Sequence, residues 1–138
     1  MQEFHLRTIG PVGDCAVLQI AGEVDLYTAP DLRLRFQDLA AKGSVHLIAD
    51  LSRVDFIDST GLGVLIGGLK VLREHDGSLT LAVSTRRFLR LLELTGLERV
   101  FPPQPSVLAA ITADPRWRQA VAGEAGSGEE WCRRYGLS

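Results

Sequence analysis

The feature that most constrains this chain is a repeated change of hydrophobic period, from the short apolar runs of strands to the three-and-four spacing of helices. The run from Cys15 to Ile20 is flanked by glycine-rich turns, and the run from Val45 to Leu51 contains Asp50 near its end. Both runs predict buried strands. A strand near Phe4 to Thr8 would pair with the first run as a hairpin, and residues 79–83 predict a further strand.

Helical patterns separate these runs. A proline suited to a first helical turn, Pro30, begins one pattern, and residues 59–72 repeat leucine and isoleucine at helical spacing. Residues 88–94 and 106–111 predict two more helices, and Arg99 to Phe101 predicts a last short strand. Strands that alternate with helices imply an α/β fold, in which parallel crossovers bury the sheet.

The length of 138 residues fits one compact domain. We expect this domain to span residues 1–112 and residues 113–138 to form a flexible C-terminal extension. The segment from Gly123 to Glu130 consists largely of glycine, glutamate, alanine and serine, a composition typical of linkers. The sequence therefore predicts that the tail from Gly123 is dispensable for folding.

Charge and hydropathy argue against several classes of function. The chain has 15 Lys+Arg and 17 Asp+Glu, so no basic field would attract nucleic acid. The longest apolar run, Val64 to Leu69, is far shorter than the roughly 20 residues of a membrane-spanning helix, and the N-terminus lacks a signal pattern. Cys15 and Cys132 do not have the spacing of a metal site or of a disulfide framework. We expect a cytoplasmic protein without a membrane anchor, metal or cofactor.

Four glycines lie in the first half of the predicted helix that begins near Ser59. Each glycine in a helix interior costs about 0.5–1 kcal/mol relative to alanine, so a compensating role is expected. For Gly67 and Gly68 we predict close packing against a neighbouring element. For Gly61 and Gly63, next to the helix start, we predict that the backbone is exposed to an approaching partner.

Phosphate-binding and catalytic motifs do not fit this segment. Gly63 and Gly68 have the separation of a P-loop, but Leu69 occupies the lysine position, and Ile66 occupies the third glycine of a dinucleotide fingerprint. Ser59 lacks a GxSxG elbow, and the three histidines fall in predicted strands and at a helix end. Asp50 also lacks the paired acidic residues of a phosphoaspartate receiver. The sequence therefore predicts a protein that is not an enzyme.

Asp58-Ser59-Thr60-Gly61-Leu62-Gly63 resembles the signature of STAS-domain anti-sigma factor antagonists. Three further segments occur in the order of that family: residues 22–26, 50–52 and 95–97. The resemblance extends from Phe4 to Ile111. It implies a four- to five-stranded mixed sheet with about four helices packed on one side.

The resemblance also implies a mechanism. An antagonist of this family, while unphosphorylated, would bind an anti-sigma serine kinase that uses ATP, and would thereby release the sigma factor. Phosphorylation of Ser59 would abolish that binding, and a serine phosphatase would restore it. Thr60 is the second candidate for phosphorylation. Taken alone, Ser59 would simply be the N-cap of the helix.

The resemblance places the partner-binding surface around the same serine. The residues that it assigns to this surface are Asp25, Asp58, Thr60, Gly61, Leu62 and Gly63. Leu62 and Val64 would add apolar contacts if they are exposed. Two alternatives stay open: a STAS scaffold module within a larger stress-sensing assembly, which would associate with related chains, and a module that binds a small ligand, which would require a sizeable apolar pocket.

Overall fold

A computed structural model describes residues 3–138 and shows a four-stranded mixed sheet in the order β1-β2-β3-β4. The strands are β1 (His5–Val12), β2 (Cys15–Val24), β3 (His46–Ile57) and β4 (Ser78–Ala82). The helices are α1 (Ala29–Ala41), α2 (Ser59–Glu74), α3 (Arg86–Thr95), α4 (Val107–Ala113), α5 (Pro115–Ala125) and α6 (Gly128–Tyr135). The α/β class and the mixed sheet predicted from the sequence are confirmed.

The sheet combines one hairpin with two crossovers. β1 and β2 are antiparallel, with Ile9 opposite Val17. β2, β3 and β4 are parallel, and in that register Val17 lies opposite Ile48. The α1 and α2 helices provide the crossovers between the parallel strands, as the alternation of strand and helix patterns predicts.

The predicted strand at Arg99 to Phe101 is wrong. A short 3-10 helix, Leu97–Arg99, follows Gly96, which ends α3 in the left-handed conformation with φ 74°. Phe101 is buried by packing into the core. Beyond Pro102 and Pro103, Gln104 forms an isolated parallel bridge with Ala82 at the outer side of β4. Proline has no N–H for a strand ladder, which keeps this segment from extending the sheet.

Helices cover both faces of the sheet, so the expectation of about four helices on one side is wrong in number and placement. On one face, Leu18 and Ala49 join a core with α1, α2 and α3. On the other face, Val17 and Ile48 join a second core with α4, α5 and α6. Because successive strand residues point to opposite faces, β2 and β3 are apolar at consecutive positions and are buried on both sides.

The expectation of a flexible extension over residues 113–138 is also wrong. Asp114 caps α5 by accepting a hydrogen bond from the Arg116 N–H at 2.9 Å, and Ser127 caps α6 by accepting one from the Glu130 N–H at 3.1 Å. Trp117 and Trp131 are fully buried, and their ring centroids lie 5.8 Å apart in an edge-to-face contact. The stabilisation of this segment is tertiary, because its apolar residues pack against the second face of the sheet.

Close packing at the glycines of α2 is confirmed at Gly68 and not at Gly67. A Cβ atom at Gly68 would lie 2.7 Å from the ring of Phe36, so the glycine lets α1 and α2 approach closely. A Cβ atom at Gly67 would meet no atom within 4 Å. Only one glycine of this pair is therefore explained by packing.

Candidate functional site

The carboxyl ends of β2 and β3 lie side by side and bring two turns together. Val24, the last residue of β2, is paired with Ile57, the last residue of β3. The N–H of Asp58 donates to the carbonyl oxygen of Val24 at 3.3 Å, which joins the turn after β3 to the end of β2. The turn that begins at Asp25 and the start of α2 therefore share one edge of the sheet, where parallel α/β proteins place their functional residues.

Asp58, not Ser59, is the N-cap of α2. Asp58 has an extended backbone, and its Oδ1 accepts a hydrogen bond from the N–H of Gly61 at 2.9 Å. Ser59 is the first helical residue. Aspartate and serine are about equally good caps, so neither helix propensity nor capping preference separates these neighbours in the sequence.

Because Asp58 caps the helix, the Ser59 hydroxyl is not needed for capping. Ser59 is exposed, and within residues 3–138 its hydroxyl makes no hydrogen bond. Thr60, the second hydroxyl, is half-buried. An exposed, uncommitted hydroxyl can be reached by another protein, and the first N–H groups of a helix favour an anion placed beside them.

Asp25 organises the neighbouring turn. Its Oδ1 accepts hydrogen bonds from the N–H groups of Tyr27 and Thr28 at 2.9 Å and 3.1 Å. The hydroxyl of Thr28 donates to the carbonyl oxygen of Glu23 at 2.8 Å and accepts from the N–H of Asp25 at 3.0 Å. These bonds hold the turn in one conformation at the entrance to α1 and leave the side chains between Asp25 and Thr28 outside the core.

The structure separates the sequence-predicted residues of α2 into a buried set and an exposed set. Gly61 is buried, and a Cβ atom there would lie 2.5 Å from the carbonyl oxygen of Val24, so close packing explains this glycine better than exposure to a partner does. Leu62 and Val64 are buried on the stripe that faces the sheet, so neither can make an apolar contact with a partner protein. Gly63 is exposed, and because it follows Ser59 by four residues it lies on the same side of the helix.

Exposed apolar side chains flank this edge, and the sequence analysis did not identify them. Leu26 is 65% exposed and Tyr27 is 87% exposed, both in the turn after β2. Phe56, next to the end of β3, is 48% exposed. The sequence does contain a signal for this exposure. Leu26 and Tyr27 are two adjacent large apolar residues that belong to no strand or helix pattern, which indicates a turn.

Two of the three histidines lie away from Ser59. His46 begins β3, at the opposite end of the strand, and His75 follows the far end of the 16-residue α2 helix. His46 is buried beside Ser78, with 2.9 Å between its Nδ1 and the serine Oγ. Burial, aided by the nearby Arg116 charge, lowers the pKa of His46 below 6.5. Neither His46 nor His75 is therefore placed to activate Ser59 as a nucleophile.

The two cysteines are buried thiols. Burial, together with the neighbouring Asp14 carboxylate, raises the pKa of Cys15 to about 12, and burial raises the pKa of Cys132. In the described part of the chain, no group of three or more histidine, cysteine or acidic side chains is arranged to hold a metal ion. Across residues 3–138, no helix is both long enough and apolar enough to cross a membrane.

Residues 7–110 match the STAS domain family, and the chain therefore belongs to that family. The chain is 42% identical over 83 residues to an anti-sigma-B factor antagonist of Bacillus subtilis, an alignment that covers 60% of this chain and 75% of the relative. These matches confirm the resemblance to STAS-domain anti-sigma factor antagonists. The matched region ends before α5 begins.

Solved structures share the fold. An anti-sigma factor antagonist from Mycobacterium paratuberculosis superposes with a TM-score of 0.72 at 29% identity and covers 80% of this chain and 93% of its own. The Bacillus cell fate determinant SpoIIAA, in its phosphorylated form, has a TM-score of 0.56 at 20% identity and covers 70% of this chain and 86% of its own. This second identity is low enough that the similarity concerns the fold alone.

Proposed function

We propose that this chain is an anti-sigma factor antagonist that is controlled at Ser59. While unphosphorylated it binds an anti-sigma serine kinase, and this binding releases the sigma factor that the kinase holds. The kinase supplies ATP and phosphorylates Ser59, with Thr60 as the second candidate, and a serine phosphatase restores the binding form. The chain acts in the cytoplasm by binding and catalyses no reaction of its own.

The observation that carries this proposal is the position of Ser59. Its hydroxyl is exposed and makes no hydrogen bond among residues 3–138, while Asp58 takes over the capping of α2. Leu26 and Tyr27 are exposed in the adjoining turn and offer apolar contact to a partner. Exposed apolar side chains are typical of a surface that binds another protein, and the exposed hydroxyl beside them can be phosphorylated by that same protein.

Phosphorylation would act at the interface rather than on the fold. A phosphoserine adds a charge of about −1.5 to −2 next to the Asp58 carboxylate. The N-terminus of a helix favours such an anion by about 0.3–1 kcal/mol, and Asp58 opposes it, so the net effect on folding is small. An interface must strip the same dianion of water, which costs several kcal/mol unless a cation meets it. SpoIIAA, which has this fold, has been solved in a phosphorylated form.

Intact mass measurement tests the assignment of the phosphorylated residue. The chain is incubated with ATP and each candidate anti-sigma serine kinase of the source organism. We expect the mass of one phosphoryl group on the wild type and on Thr60→Ala, and no added mass on Ser59→Ala. Full phosphorylation of Ser59→Ala would assign the modification to another residue.

Binding measurements test the switch itself. Ser59→Asp should bind the kinase at least about tenfold more weakly than the wild type, which is about 1.4 kcal/mol, and should keep its circular dichroism and melting temperature. Ser59→Ala should bind normally and escape control. Normal binding by Ser59→Asp, or loss of its fold, would refute a mechanism based on charge at the interface.

A further inference from the structure

A groove of about 530 Å³ lies between the end of β3 and helix α3, and it begins beside the candidate site. Its formation follows from the unequal lengths of the strands. β4 pairs only with residues 46–50 of β3, whereas β3 continues to Ile57. Past Asp50, the side of β3 that β4 would occupy faces α3 instead, and the space between strand and helix is only partly filled.

The groove is mainly apolar and partly exposed. Phe88 and Leu92 anchor α3 in the core, and Phe88 also lines the groove together with Leu91 and Leu94 of the same helix. Leu94 is 73% exposed, and Phe56 on the opposite wall is 48% exposed. A helix that only covers a core presents polar residues to solvent, so apolar residues on its outer side indicate an interaction surface.

The rim of the groove is basic. Arg87 and Arg90 of α3 line it and are exposed, and Asp55 is the acidic residue in its lining. The positive charge of this rim contrasts with the negative charge of Asp25 and Asp58 in the rest of the candidate site. It also contrasts with the net charge of the whole chain, which is −2. A ligand complementary to this groove therefore combines an apolar surface with negative charge.

We propose that this groove docks an amphipathic helix of the anti-sigma kinase, with acidic residues beside its apolar stripe. This proposal rests on the proposed function and identifies a second part of the same interface. Arg87, Leu91 and Leu94 follow one another at spacings of four and three residues, so they form a ridge against which another helix can pack. Binding of an apolar helical face in a groove is a recurrent mode of recognition.

The groove and Ser59 have different roles in this interface. Ile57 lines the groove and lies two residues before Ser59, so a helix in the groove brings its protein to the serine. The groove contributes affinity that does not depend on the phosphate, and Ser59 contributes the switch. Loss of the groove contact should therefore raise the KM of the kinase for this chain and leave kcat unchanged.

A pair of matched substitutions tests the apolar contact. The probe is the kinase that phosphorylates Ser59 in the mass assay. Leu94→Glu should weaken its binding at least tenfold and raise KM by a similar factor. Leu34→Glu is the control, because Leu34 is 62% exposed on α1 and does not line the groove. It should bind as the wild type does. Equal affinities of the two variants would overturn the proposal.

Charge reversal tests the acidic character of the partner helix. Arg87→Glu combined with Arg90→Glu should weaken binding at least tenfold and should remove much of the decrease in affinity that salt causes in the wild type. If affinity and its salt dependence stayed unchanged, an acidic partner helix would be refuted.

A wild-type chain that no candidate kinase binds or phosphorylates would refute the proposed function and this inference together. A wild type that is phosphorylated while the Leu94→Glu variant is bound normally would refute only the groove.

Discussion

Replacement of Trp131 by alanine should show that α5 and α6 are part of the folded domain. Trp131 is fully buried against the second face of the sheet. Its ring lies 5.8 Å from that of Trp117 and 5.0 Å from that of Tyr135, measured between centroids, and its Nε1 donates to the carboxylate of Glu124. Trp131→Ala would remove these contacts and leave a cavity between the helices and the sheet.

Two estimates of the cost agree. A tryptophan buries about 150–250 Å², which at about 25 cal/mol per Å² corresponds to about 4–6 kcal/mol. Measured replacements of buried aromatic residues by alanine cost about 3–5 kcal/mol. We therefore expect Trp131→Ala to lower the free energy of unfolding by about 3–5 kcal/mol. For a domain of this size the melting temperature should fall by about 10–15 °C.

Two optical probes distinguish unfolding of the whole domain from local fraying. Both tryptophans of the chain lie in this layer, so fluorescence reports on it, whereas far-ultraviolet circular dichroism reports on the whole fold. Wild-type transitions by the two probes should coincide. Arg133→Ala, at an exposed position of α6, is the control and should change stability by no more than about 0.5 kcal/mol. Unchanged melting of Trp131→Ala would mean that the layer does not stabilise the domain.

Two further predictions concern stability. Gly61→Ala should lower the free energy of unfolding by about 1–3 kcal/mol, because the new methyl would lie 2.5 Å from the Val24 carbonyl oxygen. Gly63→Ala, with no atom within 4 Å, should not; equal losses in urea unfolding would refute the packing argument. Because burial lowers the pKa of His46 below 6.5, the unfolded chain binds its proton more readily, and the folded state should lose stability as the pH falls below about 6.5. When unfolding is measured above and below this pH, His46→Gln should lose less stability on acidification than the wild type does. Equal losses would refute this role of His46.

Apart from the strand predicted at Arg99 to Phe101, the order of strands and helices up to α4 was predictable because each element has its own hydrophobic period. The run from Cys15 to Ile20 and the leucine pattern of α2 specify their structures locally. The last predicted strand failed because a run of three residues, Arg99 to Phe101, has too little pattern to distinguish a strand from a turn that buries Phe101.

The α5 and α6 helices were missed because their stability depends on contacts that the local sequence does not display. Each helix is short and buries few side chains, and the glycines at positions 123, 126 and 128 resemble those of a linker. Two local signals were nevertheless present. Asp114 is an N-cap residue followed by Pro115 at the first helical position. Ser127 is an N-cap residue followed three residues later by Glu130, the spacing of a capping box.

The position of Ser59 was predictable from its motif, but its local environment was not. Asp58 and Ser59 are both good caps, and only the backbone conformation shows that Asp58 has this role. Burial of Gly61 and Leu62 also depends on how closely α2 approaches β2, a distance that the sequence does not encode locally. The exposed apolar groove arises from the difference in length between β3 and β4, which is likewise a property of the assembled sheet.

The contact of Gly61 with β2 bears on how the proposed phosphorylation of Ser59 would act. The backbone at Gly61 lies so close to the Val24 carbonyl oxygen that even a methyl group does not fit, and Asp58 binds both the Gly61 N–H and the end of β2. A shift of the start of α2 would break these contacts and disturb the core on that face. A phosphate on the exposed side of the same turn need not disturb them. The electrostatic change at the surface is therefore the less costly response, and it favours a switch that alters partner affinity over one that moves the helix.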